Sequence, residues 1–154
     1  MRPRSAIDGD DPRPESGSTE LELGGWMVLG KDESFSLRLR LRYDVGDPFA
    51  ISLQFLGETG PMATWQLSRD VLAEGLRKPS GLGDVRIWPP CHCHDRKLLR
   101  IRLRGSEGSA VIDIPVKPVR GWLRSECFAL VPAGAEGDLI DWEAELARLT
   151  GGGI

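Results

Sequence analysis

The sequence predicts an α+β fold in which antiparallel strands form most of the core and short helices, one of them at the C-terminus, complete it. The first observation is a strict alternation of apolar and charged residues, clearest between Leu37 and Tyr43, because successive side chains of a strand point to opposite faces. The second is that Gly, Pro, Asp and Ser residues separate the alternating segments at short intervals, which is typical of strands that pair sequentially and antiparallel. The third is that helical spacing of apolar residues is confined to three short segments.

A disordered tail over residues 1–18 and a single folded domain over residues 19–150 are expected. The tail combines prolines, glycines and charges of both signs with few apolar residues, so it cannot bury enough surface to offset the entropy cost of ordering. The chain has 154 residues, of which 40% are hydrophobic. These values are within the usual range for one domain with its own core.

Seven strands are expected within this domain. Alternation predicts three of them, and apolar clusters between turn residues predict four more near 21–29, 63–67, 85–88 and 110–114. The three alternating strands cover 37–43, 51–55 and 99–103. In the first and last of these three, the positions opposite the apolar residues are arginines: Arg38, Arg40, Arg42, Arg100, Arg102 and Arg104.

Three helices are expected. Ser68 can cap a short helix over residues 69–77, because its hydroxyl can accept a hydrogen bond from a free backbone amide. A second helix is predicted between Lys117 and Ser125, and a third from Asp138 to Leu149. The third helix should pack an apolar stripe on the sheet or on a neighbouring subunit, and the stripe consists of Leu139, Trp142, Leu146 and Leu149.

The six arginines are the candidate binding residues. They could form a positive sheet face that meets phosphates or an acidic protein surface. The alternative is the solvated side of a half-buried sheet, on which arginine stems cover apolar neighbours. The formal net charge of −3 argues against attraction of the whole body to nucleic acid or anionic lipid, but it leaves local basic patches open.

The segment Cys91-His92-Cys93-His94 is the one cluster of potential metal ligands in the sequence, and it would support a remote third interpretation, a metal-dependent enzyme. Four contiguous side chains point alternately to opposite sides and converge poorly on one ion, and a second ligand pair is missing. A polar loop without metal is therefore expected. We expect neither catalytic residues nor a cofactor, since no nucleophile is paired with a base.

The three cysteines are expected to be free thiols, because an odd number with two of them in one short loop fits a reducing compartment. No apolar run approaches the roughly 20 residues that span a bilayer, and the polar N-terminus does not resemble a secretion signal. The sequence therefore predicts a cytoplasmic protein.

Three motifs in close succession resemble the SsgA-like family. They lie between Tyr43 and Pro89 and read YDVGDPFA, WQLSRDVLAEGL and GLGDVRIWP. The resemblance continues through VIDIP at 111–115, WLR at 122–124 and LVP at 130–132, so that it covers about 21–149. It implies two packed antiparallel sheets similar to those of whirly-type nucleic-acid-binding proteins, with helices, and assembly as a homo-oligomer, a trimer.

The resemblance also implies a function. Members of this family are non-enzymatic regulators of sporulation-specific cell division in actinomycetes, which act in septum-site selection and in recruiting or timing FtsZ and septal peptidoglycan remodelling. The implied partner is FtsZ or an adaptor, and the implied location is the cytoplasm at the cell septum. The alternative, suggested by the whirly-like fold and the arginines, is a nucleic-acid-binding module that uses an arginine-rich sheet face, although fold similarity alone is weak evidence for it.

Overall fold

The computed structural model describes residues 17–92, 95–106, 108–139 and 142–151. Its seven strands form one sheet in the order β4-β3-β2-β1-β7-β6-β5, with antiparallel pairing throughout. The predicted α+β class and all seven predicted strands are confirmed. The strands are β1 (Ser18–Val28), β2 (Ser34–Asp44), β3 (Ala50–Gly57), β4 (Gly60–Ser68), β5 (Val85–Trp88), β6 (Leu98–Gly105) and β7 (Gly108–Pro115).

Short helices complete the fold. Helix α1 connects β4 to β5, and a longer helical run follows β7. The helical elements are α1 (Arg69–Gly75), α2 (Val116–Trp122), a π-helical turn (Leu123–Cys127), α3 (Phe128–Leu130), a 3-10 turn (Glu136–Leu139) and α4 (Trp142–Gly151). No helix among the described residues is long and apolar enough to cross a membrane.

The strands form one continuous sheet that curls, where the resemblance implied two separate packed sheets. The two layers correspond to its two halves, β1–β4 and β5–β7, which face each other. Trp65 of β4 approaches Gly105 of β6, where an added Cβ would lie 3.4 Å from the indole ring. Fully buried residues from both halves, such as Leu41, Leu53 and Ile101, belong to one core.

The two halves of the sheet are joined by the short ladder between β1 and β7. It pairs only Trp26, Met27 and Val28 with β7. Gly25 precedes these pairs, and a Cβ there would lie 2.8 Å from the backbone oxygen of Asp113. Glycine therefore permits the close backbone approach at the junction of the halves.

The predicted cap of α1 is confirmed, since the Val71 amide donates to the Ser68 hydroxyl over 3.2 Å. The second helix is also confirmed, but it begins at Val116, and the helical run extends to Leu130. The run is longer than predicted because its buried residues continue past Trp122 to Cys127. The π-helical turn contributes two of these buried residues, Leu123 and Cys127.

The C-terminal helix begins later than predicted. Asp138 lies within the 3-10 turn Glu136–Leu139 that precedes it, and the described part of the helix begins at Trp142. Leu139, Leu146 and Leu149 are 51%, 59% and 70% exposed. The expectation that this stripe packs on the chain's own sheet is therefore wrong for these three residues, and packing on a neighbouring subunit stays a prediction.

A buried arginine attaches the helical side of the molecule to the sheet. Arg69, the first residue of α1, has no exposed surface. Its guanidinium donates to Glu136 Oε2 over 2.6 Å, to the Val131 carbonyl over 2.6 Å and to the Tyr43 hydroxyl over 3.0 Å. It also lies over the Phe128 ring at 4.2 Å. One side chain thus joins β2, the helical run and the 3-10 turn.

Most of the expected N-terminal tail, residues 1–16, lies outside the described residues. Ser18 already belongs to β1, and the Gly17 carbonyl accepts a hydrogen bond from the Val45 amide over 2.8 Å. The strand therefore begins within the segment that the sequence assigned to the tail, and Gly17 is bound to the residue that follows β2.

Candidate partner-binding surface

The arginines of β2 lie on the outer face of the sheet, opposite the core, as their alternation predicts. Their neighbours across the strand pair are acidic residues of β1. In the register of the two strands, Glu20 lies opposite Arg42 and Glu22 lies opposite Arg40. Opposite charges at directly paired positions attract each other and fix the register of the strands.

Ion pairs balance the charge of the three arginines on β2. Arg38 and Arg40 both contact Glu22, over 3.1 and 3.0 Å, and Arg42 contacts Glu20 over 3.3 Å. Hydrogen bonds from Arg40 and Arg38 lower the pKa of the Glu22 carboxyl group. All three arginines of β2 therefore have carboxylate partners within the chain, and little uncompensated positive charge remains for phosphates.

Arg100, the first arginine of β6, is also paired. Arg100 donates two hydrogen bonds to Asp113 of β7, each 2.8 Å long. The hydrogen bonds to Asp113 raise the pKa of Arg100. A bidentate pair of this kind holds the arginine firmly in place.

The remaining β6 arginines are not in ion pairs among the described residues. Arg102 lies directly opposite Arg86 of β5, and both guanidinium groups are near the Trp88 ring, at 5.9 and 5.4 Å from its centroid. Arg104 is exposed at the end of the strand. The register thus creates a small cationic and aromatic patch on β5 and β6, hereafter the Trp88 patch.

The six predicted arginines therefore do not form one continuous positive face. Strands β1 and β7 lie between β2 and β6 in the sheet, and they contribute Glu20, Glu22 and Asp113 to the same face. Arg86 and Trp88 were not among the candidate residues singled out from the sequence. The available signal was the alternation in β5, which places both on one face.

The potential ligand cluster at 91–94 is only partly described. Cys91 is disulfide-bonded, so the expectation of three free thiols is wrong at this residue. The loop turns back locally here, since the Cys91 amide donates to the Asp95 carbonyl over 3.2 Å. Cys127 is free and buried, as expected.

His92 is the histidine of this loop that the structure describes, and its Nδ1 accepts a hydrogen bond from Arg96 over 3.3 Å. Cys93 and His94 lie outside the described residues. Within the described part of the chain, no group of three potential ligands could hold a metal ion. The absence of a metal site stays a prediction.

Comparison with known proteins gives consistent matches. The family model described as "Streptomyces sporulation and cell division protein, SsgA" matches residues 37–136. The sporulation-specific cell division protein SsgB of Frankia casuarinae is 37% identical over 92% of this chain and 96% of its own length. SsgB of Streptomyces coelicolor is 35% identical over 86% of this chain and 93% of its own.

Two solved structures have the same fold. One, from a study of SsgB mutations and longitudinal cell division in Streptomyces coelicolor, superposes with a TM-score of 0.73 at 34% identity, covering 80% of this chain and 95% of that one. The SsgA-like sporulation-specific cell division protein of Thermobifida fusca gives 0.72 at 36% identity, covering 86% and 96%. The family model covers most of the folded domain, and the relatives align over nearly their whole length. The chain belongs to the SsgA family of sporulation and cell division proteins.

Proposed function

We propose that this chain is a non-enzymatic recruiter in sporulation-specific cell division, which acts by binding a protein of the division machinery. The observation that carries the proposal is the match to relatives named sporulation-specific cell division proteins, over 92% of this chain and 96% of the Frankia relative. The finer proposal is that the chain marks septum sites and recruits or times FtsZ, directly or through an adaptor, together with septal peptidoglycan remodelling. Assembly as a homo-oligomer, a trimer, belongs to the same proposal.

The geometry of the outer sheet face favours a protein partner over nucleic acid. A nucleic-acid interface uses uncompensated cations that follow the phosphate backbone. Here Glu20, Glu22 and Asp113 lie among the arginines and would repel phosphates. A mixed-charge face of this kind suits a protein surface that carries complementary charges of both signs.

The Trp88 patch is the observation that favours the alternative, a nucleic-acid-binding module. An indole ring between guanidinium groups could stack a base while the arginines contact phosphates. Two like charges directly opposite each other, as at Arg86 and Arg102, are unfavourable without an anion nearby. The patch is small, however, and has one aromatic residue, so it would hold only a base or two.

A titration of the purified full-length chain separates the two functions. We expect binding to purified FtsZ, or to an adaptor–FtsZ mixture, at about 0.15 M salt, where charges more than about 8 Å apart are screened. Single-stranded oligonucleotides should bind weakly and be released near this salt concentration. Phosphate neutralisation would instead give an affinity that falls by about 0.7 log units per contact for each log unit of salt.

Charge reversals on β2 and β6 provide the control. Arg38→Glu places a carboxylate on β2, and Arg102→Glu places one on β6. Tight oligonucleotide binding that both substitutions abolish, with no division protein retained by the parent, would contradict the recruiter function and support the alternative.

A further inference from the structure

A cationic groove crosses the helical side of the molecule, away from the outer sheet face. It consists of a cavity of about 660 Å³ and an adjoining cavity of about 370 Å³, which share Leu76, Arg77 and Arg120. The ends of α1 and β5, the start of β6 and the helical run after β7 come together around it. Six basic residues line the groove: Arg77, Arg96, Lys97, Lys117, Arg120 and Arg124.

The charge of the groove is largely uncompensated within the described part of the chain. No carboxylate lines either cavity, and none of the six cations has an ion pair there, in contrast to the arginines of β2. Glu74 is a nearby carboxylate outside the lining: the Ser80 hydroxyl donates to it over 2.9 Å and Lys78 lies 3.6 Å from it, while Arg77 acts on it only through its charge, without an ion pair. Since the whole chain has a formal net charge of −3, this concentration of positive charge is a local feature.

The walls of the groove are apolar. Pro89, Pro90, Pro115 and Pro118 surround the larger cavity, and Phe128 lies at the far end of the smaller one. Prolines lack an amide donor and give a rigid hydrophobic surface, so a ligand here is held by apolar contact together with the charges of the rim. A phosphate group alone would leave these walls uncovered.

The combination of charge and shape selects one class of partner. A lipid surface is contacted by cations that protrude, whereas these surround a concave groove. Single-stranded nucleic acid is bound by several aromatic rings that stack on successive bases, whereas Phe128 is the one aromatic residue among those that line the two cavities. A peptide with alternating acidic and apolar residues satisfies both parts of the groove, because its apolar side chains enter the two cavities while its carboxylates meet the rim.

We propose that this groove binds a short acidic segment, containing apolar anchor residues, of the protein that the chain recruits. The inference rests on the proposed function and names the chemistry of the partner. Arg77 and Arg120 line both cavities and are therefore central to recognition. The outer sheet face then remains available for other contacts.

The test is a fluorescence anisotropy titration of the full-length chain at about 0.15 M salt. The probe is a labelled 12-residue peptide of alternating Glu and Leu, and the comparison probes are the same peptide with Lys in place of Glu, phosphatidylglycerol vesicles and a single-stranded oligonucleotide. The groove variant is Arg77→Glu with Arg120→Glu. The control variant, Lys31→Glu with Arg148→Glu, changes the net charge by the same amount at two exposed residues outside the groove and outside the outer sheet face.

We expect the acidic peptide to bind the parent and the control variant alike, and the groove variant to lose at least about tenfold in affinity, as removal of central charge pairs does at protein interfaces. The Lys peptide should not bind. Circular dichroism and thermal melts establish that both variants are folded. Absence of peptide binding by the parent, equal loss in the two variants, or stronger binding of vesicles or oligonucleotide would each overturn the inference.

Localisation in sporulating cells distinguishes this inference from the proposed function. If the groove variant still reaches septa and supports septation, the groove is not the recruiting site, although the recruiter function stands. If the parent itself does not reach septa, the recruiter function fails. If the groove variant alone loses septal recruitment, the result supports both the peptide-binding groove and the recruiter function.

Discussion

The buried guanidinium of Arg69 is expected to be the most sensitive polar position of the fold. Arg69→Met removes the donor for the Glu136 carboxylate and for the Val131 carbonyl, both 2.6 Å away, and for the Cys127 carbonyl at 3.3 Å. Breaking a buried pair by removing one partner costs about 3–5 kcal/mol, because the other charge stays buried without compensation. That is a large part of the roughly 5–15 kcal/mol that stabilises a typical domain.

Urea unfolding followed by circular dichroism measures this loss. For a chain of this length, each kcal/mol lowers the melting temperature by about 2–4 °C, so a decrease on the order of 10 °C is expected in a parallel thermal melt. Arg104→Met is the matched control, since Arg104 is exposed at the end of β6. Such surface substitutions usually change the free energy of unfolding by no more than about 0.5 kcal/mol.

A double-mutant cycle tests whether the loss comes from the ion pair. The double variant Arg69→Met with Glu136→Met leaves no unpaired charge, so it should be clearly more stable than the sum of the two single effects predicts. The reasoning is refuted if Arg69→Met unfolds at the same urea concentration as the parent, or if the two single effects are additive.

Three further predictions concern stability and reactivity. The pKa of Glu136 is lowered below its ordinary value of 4.5 by hydrogen bonds from its own backbone amide and from Arg69. The ionised carboxylate therefore stabilises the fold above that pH, and the free energy of unfolding should decrease as the pH drops below about 4.5. The decrease should be less steep in Glu136→Gln. Gly75→Ala should destabilise the chain by about 1–3 kcal/mol in urea unfolding, because the new Cβ would lie 2.8 Å from Ile87 Cβ and overpacking outweighs a helix-propensity gain of about 1 kcal/mol. The control Gly121→Ala should be neutral or stabilising, since no atom lies within 4 Å of its added Cβ. Burial raises the pKa of the Cys127 thiol to about 12, so a thiol reagent at pH 8 should label it only after unfolding, and rapid labelling of the native chain would contradict its burial.

The strands were predictable from sequence because their signal is local. Alternation in a segment such as 37–43 reports directly which face of the strand is buried, and Leu39 and Leu41 are indeed fully buried. The cap of α1 was predictable for the same reason, since Ser68 and the amide it accepts from are three residues apart. Such features need no knowledge of distant parts of the chain.

Features that depend on distant residues could not be predicted in this way. Arg69 follows a helix cap, a position that is normally exposed, and its burial depends on Glu136, 67 positions later. The joining of the two halves into one sheet depends on the register of β1 with β7. The exposure of Leu146 and Leu149 depends on where α4 lies, which helical spacing does not specify.

The candidate site was predicted in part. Alternation placed the arginines on one face of the sheet, but it did not show that Glu20 and Glu22 would pair with Arg38, Arg40 and Arg42. The acidic residues alternate along β1 and were visible in the sequence, yet only the pairing of β1 with β2 brings them together. The cationic groove was not predicted, because its lining comes from four segments between residues 73 and 128.

Recruitment to division sites is the central claim of this account. A fluorescent fusion of the full-length chain, followed by time-lapse microscopy through sporulation, measures it most directly. The account predicts foci at future division sites before septa constrict, together with labelled FtsZ. Diffuse fluorescence throughout sporulation, or fluorescence that follows the chromosomes and not the septa, would contradict it.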